Sequence, residues 1–390
     1  MESYFFGLNA SGALYSTLVV VDNLLFTLYV VAVGYLFVFA LGANIRKRMS
    51  YPMAVKKYRY AVLFYVDNKE FRVVESVKSF LEQQYPFYRV MVVSNENHEE
   101  VNASLSELPI ELFMADAQYY NKAEAIRYAM SCIDATQYDV VVIMNADSEV
   151  DQGFLNAIND AYYQGGMVIQ THRTSRKLES DIALFGAVSE EINNSIFRRG
   201  HVNFGFSSAL IGSGMAFKVE WLKSNIEGLT NTDFEKQLET KLLEQSVFIE
   251  YLNDVHVYGE KISRADEFYK ERSTWQTSSK LGFFVILGKL FGSIAQRNYD
   301  LCDKMFQWLM PSRMILMGTL LIIAFGMLFL SWALSIKWWM LLLTLIVAFS
   351  IALPDYLIDA RFVKALRGAP ILFLLTVFNS IRRKLVPQKK

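Results

Sequence analysis

The sequence predicts an α/β protein: a mainly parallel sheet with helices on both faces, accompanied by transmembrane and interfacial helices. Three observations predict it. Residues 58–278 alternate short β-branched runs with helical apolar stripes, the pattern of successive βαβ units. The run from Asp139 through Val140, Val141, Val142, Ile143 and Met144 to Asp147 is apolar with an acidic tip, as in a buried parallel strand whose carboxyl end is where such sheets keep ligands. Outside this region lie uncharged runs of 18 and 21 residues, Leu24–Leu41 and Met314–Leu334, against the ~20 apolar residues that cross a bilayer.

The elements follow in order. Leu14 to Val21 extends the first apolar run upstream, interrupted by Asp22 and Asn23. With no basic residue before Arg46, residues 1–45 read as an uncleaved anchor rather than a signal peptide. Arg46, Lys47, Arg48, Lys56, Lys57 and Arg59 then follow with no acid among them, which puts the N-terminus outside and the middle of the chain in the cytoplasm. Within 58–278, Tyr60–Tyr65 reads as a strand, Val73, Val74, Val77, Phe80 and Leu81 as a helical stripe, Arg89–Val93 and Ile110–Phe113 as strands, and Ala123, Ile126, Ala129, Met130 and Ile133 as the helix face feeding the strand of Asp139–Met144. Residues 279–312 read as interfacial helices. Leu281–Ala295 is apolar but too short to span, and Leu301, Met305, Trp308 and Leu309 form a stripe opposite Asp303, Lys304 and Gln307, equally the pattern of an ordinary core helix. Residues 313–358 read as a transmembrane hairpin turning between Leu334 and Trp338, and 359–390 as an interfacial or re-entrant helix with a basic tail, since Lys364, Arg367, Arg382, Arg383 and Lys384 flank a stretch too short to cross.

Composition narrows the function classes. The 390 residues allow two or three domains, and 53% are hydrophobic. The 39 basic and 39 acidic residues cancel, so nothing in the balance implies nucleic acid. Cys132 and Cys302 stand far apart on the cytoplasmic side, which argues against a disulfide or a zinc site.

Several residues carry candidate chemistry, each with a plainer alternative. Asp147 would project from the strand tip as a hard oxygen ligand suited to Mg²⁺ or Mn²⁺ on a diphosphate; alone, it is equally the solvated turn that ends many strands. Gly212-Ser213-Gly214 permits close backbone approach to a ligand or a simple turn between strands. Thr232 can cap a helix bearing Phe234, Leu238 and Leu242 on one face, and acids in its first turn suit the helix dipole. Trp275, close to the membrane segments, suits an interfacial anchor.

Taken in this order, the segments resemble the membrane-bound family-two glycosyltransferases, the group of cellulose, hyaluronan and chitin synthases and ceramide glucosyltransferase, over about residues 58–278. The resemblance implies a GT-A fold, the nucleotide-diphospho-sugar transferase sheet, binding a nucleotide sugar. It matches Asp147 to the metal-binding Asp, Lys122 to the Gly-Lys segment near the nucleotide, and the Gly212–Met215 stretch to the acceptor-side loop. Asp233 matches the catalytic base of a Thr-Glu-Asp segment, and Arg272 with Trp275 part of the Gln-x-x-Arg-Trp motif bordering acceptor and diphosphate. Departures accompany the matches. Asn145-Ala146-Asp147 replaces Asp-x-Asp, Asn95 stands where a uridine-binding acid is expected, and Asp67 or Asn68 is left as the contact in a reduced Pro-x-x-Asn-Glu opening.

The function so implied is inverting transfer from a nucleotide sugar, a UDP-sugar first, with Mg²⁺ or Mn²⁺ as cofactor. Three readings follow: elongation of a surface or extracellular polysaccharide, single addition to a lipid-linked acceptor, or an inactive scaffold in a polysaccharide assembly complex. The partners would be the donor, a glycan or lipid-linked glycan acceptor, the bilayer, and copies of the chain or export subunits.

Overall fold

The computed structural model describes residues 12–45, 51–66, 70–116, 120–176, 178, 180–259, 283–359 and 361–362. They fall into two compact units, Met1–Arg46 with Phe306–Lys390, and Lys47–Met305. The expected helix of residues 369–378 lies outside the described residues.

The larger unit is built on an eight-stranded sheet: β1 (Tyr60–Tyr65), β2 (Tyr88–Ser94), β3 (Glu111–Met114), β4 (Val140–Asn145), β5 (Glu149–Val150), β6 (Val168–Thr174), β7 (Met215–Lys218) and β8 (Ile249–Tyr258), in the order β3-β2-β1-β4-β7-β6-β8-β5. The half from β3 to β4 is parallel, as uniformly apolar strands with helical crossovers require. β7 then runs antiparallel to both β4 and β6, and β8 returns parallel to β6, so the sheet is mixed beyond β4. Because β1 lies between β2 and β4, the chain order reverses at β1, which opens a crevice at the carboxyl ends of β1 and β4. Tyr65 and Asn145 face each other in register at that edge.

Both faces of the sheet are covered. On one, Ala123, Ala125, Ile126, Ala129 and Met130 of the helix Lys122–Cys132 pack with Phe234, Leu238 and Leu242 of the helix Phe234–Glu244. On the other, Val73, Val77 and Phe80 of Glu70–Leu81 pack with Phe154, Leu155 and Ile158 of Phe154–Tyr163. β1 is buried along its whole length, which is why it reads as a continuous apolar run rather than an alternating one. The helix Asp181–Asn193, capped by the Ser180 side chain on the Ala183 N–H, continues through a π-helical stretch, Asn194–Gly200, to a last turn at Asn203. One polar face expected at a membrane surface is instead inside: in the helix Tyr299–Leu309, Asp303 is 9% and Lys304 0% exposed.

The smaller unit contains three helices long and apolar enough to cross a membrane, Ser16–Ala43, Arg313–Leu330 and Trp332–Ala352. Their outward residues are apolar, with Leu28, Ile322, Phe329 and Met340 largely exposed. The hairpin turns at Ser331, not between Leu334 and Trp338. Lys337 therefore sits inside a helix, and it does so with partners. It pairs with Asp22 and donates to Asn23 Oδ1 at 2.9 Å, while Trp338 Nε1 donates to Asp22 Oδ1 at 2.9 Å. The Asp22-Asn23 interruption of the first apolar run is thus a polar clip between helices, and the fully buried Trp338 ring packs edge-on against Phe26 and Tyr29. Asp22→Ala leaves the buried Trp338 indole N–H without its acceptor and takes the carboxylate from beside the Lys337 ammonium, and a buried polar group left unpaired costs about 1–3 kcal/mol. The thermal unfolding midpoint in detergent is expected to drop for Asp22→Ala and less for Asp22→Asn, whose amide oxygen still accepts from Trp338; equal midpoints for Asp22→Ala and wild type would show that the clip carries no stability.

Candidate active site

Four segments converge at the carboxyl edge of β1 and β4. β4 delivers Asn145, whose side-chain oxygen accepts from the Tyr65 hydroxyl at 3.1 Å. The chain then turns through Ala146 and Asp147 to Ser148, with Asp147 6% exposed. The loop ahead of β7 is fastened to this tip from the far side: the Asn145 N–H donates to Ser213 Oγ at 3.1 Å, and the Ser213 and Ser148 hydroxyls lie 2.7 Å apart.

The loop needs its glycines. Gly214 has φ +66°, its N–H donates to Ile143 O at 2.9 Å, and its carbonyl accepts from both the N–H and the Oγ1 of Thr171 at 3.0 Å. A Cβ there would lie 2.1 Å from Thr171 Oγ1 and 2.7 Å from Val257. Gly212, at φ +89°, would place a Cβ 2.7 Å from Lys122 Nζ. Gln170 holds the loop between them: its Oε1 accepts from the Ile211 N–H at 2.9 Å and its Nε2 donates to Ser213 O at 3.0 Å.

The third segment is the start of the helix Lys122–Cys132, capped by the Asn121 side chain on the Glu124 N–H. Lys122 Nζ forms a close ion pair with Glu235 and donates to Gly212 O at 3.3 Å, flanked by the Tyr65 and Phe234 rings. Burial disfavours the Glu235 carboxylate, but the adjacent Lys122 ammonium outweighs it and holds the carboxyl below its usual range. Glu235 was not among the residues expected here. Its signal, an acid in the first turn of an amphipathic helix, is indistinguishable in sequence from ordinary dipole pairing.

The fourth segment is Thr232-Asp233. Asp233 occupies the N-cap position of Phe234–Glu244 in the left-handed region, φ 54° and ψ 37°, which a side chain other than glycine enters at a cost. Its carboxylate does not cap the helix; it is 9% exposed and 3.2 Å from Lys236 Nζ. Strain of this kind concentrates at functional positions.

The other expected residues divide. Asn95 is buried at the end of β2, but its side chain caps the turn Glu96–His98 by accepting from the Asn97 N–H at 2.9 Å. It stands at the carboxyl end of β2, the neighbour of β1, with its side-chain oxygen engaged by that turn. Asp67, Asn68, Arg272 and Trp275 lie outside the described residues. Among the described residues no cluster of three or more His, Cys, Asp or Glu side chains could hold a metal ion. The single carboxylate of Asp147 fits a Mg²⁺ or Mn²⁺ ion that takes its remaining ligands from a diphosphate and water.

Two outcomes follow from this geometry. Gly214→Ala should lower the unfolding midpoint by several degrees, because the added methyl meets Thr171 and β8 and the backbone sits at positive φ; a midpoint within 1 °C of wild type by scanning fluorimetry, on the order of 0.3 kcal/mol or less, would contradict it. Glu235, with its pKa depressed, stabilises the fold above the ordinary carboxylate range and loses that contribution as pH falls through its lowered value. The midpoint gap between wild type and Glu235→Gln should therefore be open at neutral pH and close in acid; a pH-independent gap would remove the ion pair as its source.

The family model for "Glycosyl transferase family group 2" matches residues 140–351, from β4 into the last described long helix. No protein of curated function matches the chain. Among solved structures, the chain is similar to a mannosyltransferase from Pyrobaculum calidifontis, determined with GDP-mannose and Mn²⁺, at 15% identity and TM-score 0.51, covering 83% of this chain and 97% of that one. It is also similar to glucosyl-3-phosphoglycerate synthase from Mycobacterium tuberculosis, determined with Mn²⁺, UDP and glucosyl-3-phosphoglycerate, at 12% identity and TM-score 0.40, covering 57% and 80%. The first of these likenesses supports the GT-A fold, and the family match spans more than half of the sequence, including the β4 tip, the glycine loop and Asp233. The chain therefore belongs to glycosyl transferase family group 2.

Proposed function

We propose that this glycosyltransferase is membrane-integrated, takes its sugar from a nucleotide-diphosphate donor, and extends a cell-surface or extracellular polysaccharide with inversion at the anomeric carbon. The observation that carries the reading is Asp233: a nearly buried carboxylate on a strained backbone that does not cap its own helix, two residues from the glutamate that pairs with Lys122, which in turn donates to Gly212 O of the glycine loop. A carboxylate so placed serves as the general base that takes the proton from an acceptor hydroxyl as its oxygen attacks the sugar. The donor would lie in the crevice between β1 and β4, with its diphosphate toward Asp147 and Lys122. Lys122, among the described residues, is then a cation available to the departing diphosphate, as Arg272 would be, and Asn145, Ser148 and Ser213 fix the turn that presents Asp147. A divalent cation held by Asp147, when bound, offsets the charge that develops on the leaving nucleoside diphosphate.

The orientation follows from the basic residues after the first spanning helix: N-terminus outside and transferase unit cytoplasmic. A polymer made there would have to leave through the membrane, so copies of the chain or export subunits would be its partners.

The test is release of nucleoside diphosphate by the full chain in lipid nanodiscs across a panel of UDP- and GDP-sugars, GDP-mannose included, with and without Mg²⁺ or Mn²⁺. One donor should be turned over with a divalent cation present. Asp233→Asn should lose about 10²- to 10⁴-fold in turnover, the usual share of general-base catalysis, while donor affinity stays within a few-fold. A long product or ladder supports the polymerase; one added sugar would replace it with a single-addition transferase. Release from no donor, with lipid acceptors supplied, would overturn the enzymatic reading.

A further inference from the structure

The loop ahead of β7 is braced on its outer side by charges that the mechanism above does not use. The helix Tyr299–Leu309 presents Asp300, Asp303 and Lys304, spaced three and four residues apart on one face. Asp300 accepts from the Ser207 N–H at 2.8 Å and, at close range, from the Ser207 hydroxyl, which itself accepts from the Ile249 N–H of β8 at 3.1 Å. Asp303 lies 3.3 Å from Nε2 of His201, a fully buried ring whose Nδ1 is 2.6 Å from Ile196 O in the π-helical stretch. Lys304, with no exposure, lies 3.7 Å from Glu239. Glu239 in turn accepts from the Leu210 N–H at 2.7 Å.

This arrangement is costly for mere packing. Lys304 Nζ has no hydrogen-bond partner among the described residues, and an ion pair removed from water often stabilises no more than apolar residues of the same shape. What it does achieve is geometric. Glu235 and Glu239 stand one turn apart on the helix that begins after Asp233: the first reaches Gly212 through Lys122, the second holds Leu210 directly and faces Lys304. Loop residues 207–212 therefore hang between the helix after Asp233 and the helix Tyr299–Leu309.

We infer that Asp300 and Lys304 are positioning residues for sugar transfer: through Ser207 and Glu239 they set loop residues 207–212 relative to Asp233, and so decide whether the acceptor hydroxyl or water receives the sugar. The inference rests on the transferase reading above. Ser213 and Gly214 keep their own bonds to β4, Gln170 and Thr171, so donor binding at the β1–β4 crevice should depend on Asp300 and Lys304 less than transfer does. A displacement of the loop costs rate steeply, since misplacement of about 1 Å can lower a rate by about 10²-fold, and water needs no such alignment.

The experiment uses the full chain in nanodiscs with the donor found above. Its variants are Asp300→Ala, which removes both bonds to Ser207, and the double variant Lys304→Met with Glu239→Gln, which removes both charges of that pair together and keeps an acceptor for Leu210. Donor affinity, sugar transferred and free sugar released are measured in parallel with the unfolding midpoint. Donor affinity should stay within about twofold, transfer should fall by about 10- to 100-fold, and the ratio of free to transferred sugar should rise. Transfer and hydrolysis falling together, in proportion to a lowered midpoint, would assign these residues to packing and overturn the inference, as would unchanged transfer. A wild-type chain that turns over no donor would instead overturn the transferase reading, and with it this one; a wild type that transfers while the variants keep its partition ratio overturns this inference alone.

Discussion

The antiparallel seam between β4 and β7 is the constraint on which the site depends. β4 belongs to a parallel half whose strands all end at one edge; β7 runs the other way, so the chain just before it arrives at that same edge. The residues before β7 are then forced against the tip of β4, with the Gly214 N–H on Ile143 and Ser213 on Asn145. Only glycine fits at position 214, because Thr171 occupies the space a side chain would need. A reversed strand, a missing Cβ and one serine thereby bring the glycine loop to Asp147, and Gln170 keeps it from sliding.

The parallel half was legible in the sequence and the mixed half was not, for a physical reason. Strands covered on both faces must be apolar throughout, so Tyr60–Tyr65 and Val140–Asn145 announce themselves within a residue or so. β8 mixes Glu250, Asn253, Asp254 and His256 with apolar residues and changes register opposite Thr171 and His172, and β5 has only two residues. Neither carries a periodicity to read. The same divide runs through the site. Asp147, Lys122 and the glycines sit at element ends, where pattern breaks are visible, whereas Glu235, Glu239 and Lys304 sit inside amphipathic helices, where a buried charge and a solvated one look alike. The hairpin turn was misplaced for this reason too: Lys337 looks like a loop residue until Asp22 and Asn23, over three hundred positions away, are found beside it.

Net charge is a poor guide to this molecule, because many of its charges are internal. Asp22 with Lys337, Lys122 with Glu235 and Lys304 with Glu239 are opposed pairs with at least one member largely buried. Arg198 is buried as well, donating to Ala209 O and Asn194, and burial lowers the pKa of its guanidinium. Such pairs contribute little net stability, and their placement says more than their number: Arg198, Glu235, Glu239 and Lys304 all bear on the backbone or neighbours of residues 207–212. The charge is spent on the geometry of one loop rather than on the core, which the apolar faces of the sheet already secure.

The replacement of a first carboxylate by Asn145 belongs to the same economy. A carboxylate at 145 would accept from the Tyr65 hydroxyl as Asn145 does, but it would stand two residues from Asp147 with little solvent to screen the pair. The amide keeps the hydrogen bond that ties β1 to β4 at the crevice while leaving Asp147 as the single negative charge of the turn. On the proposed reading, a cation held by one carboxylate draws more of its coordination from the donor's diphosphate, so ion and donor bind as a unit. On that reading metal would bind weakly until the donor is present, and the Asn-x-Asp sequence would be compatible with catalysis.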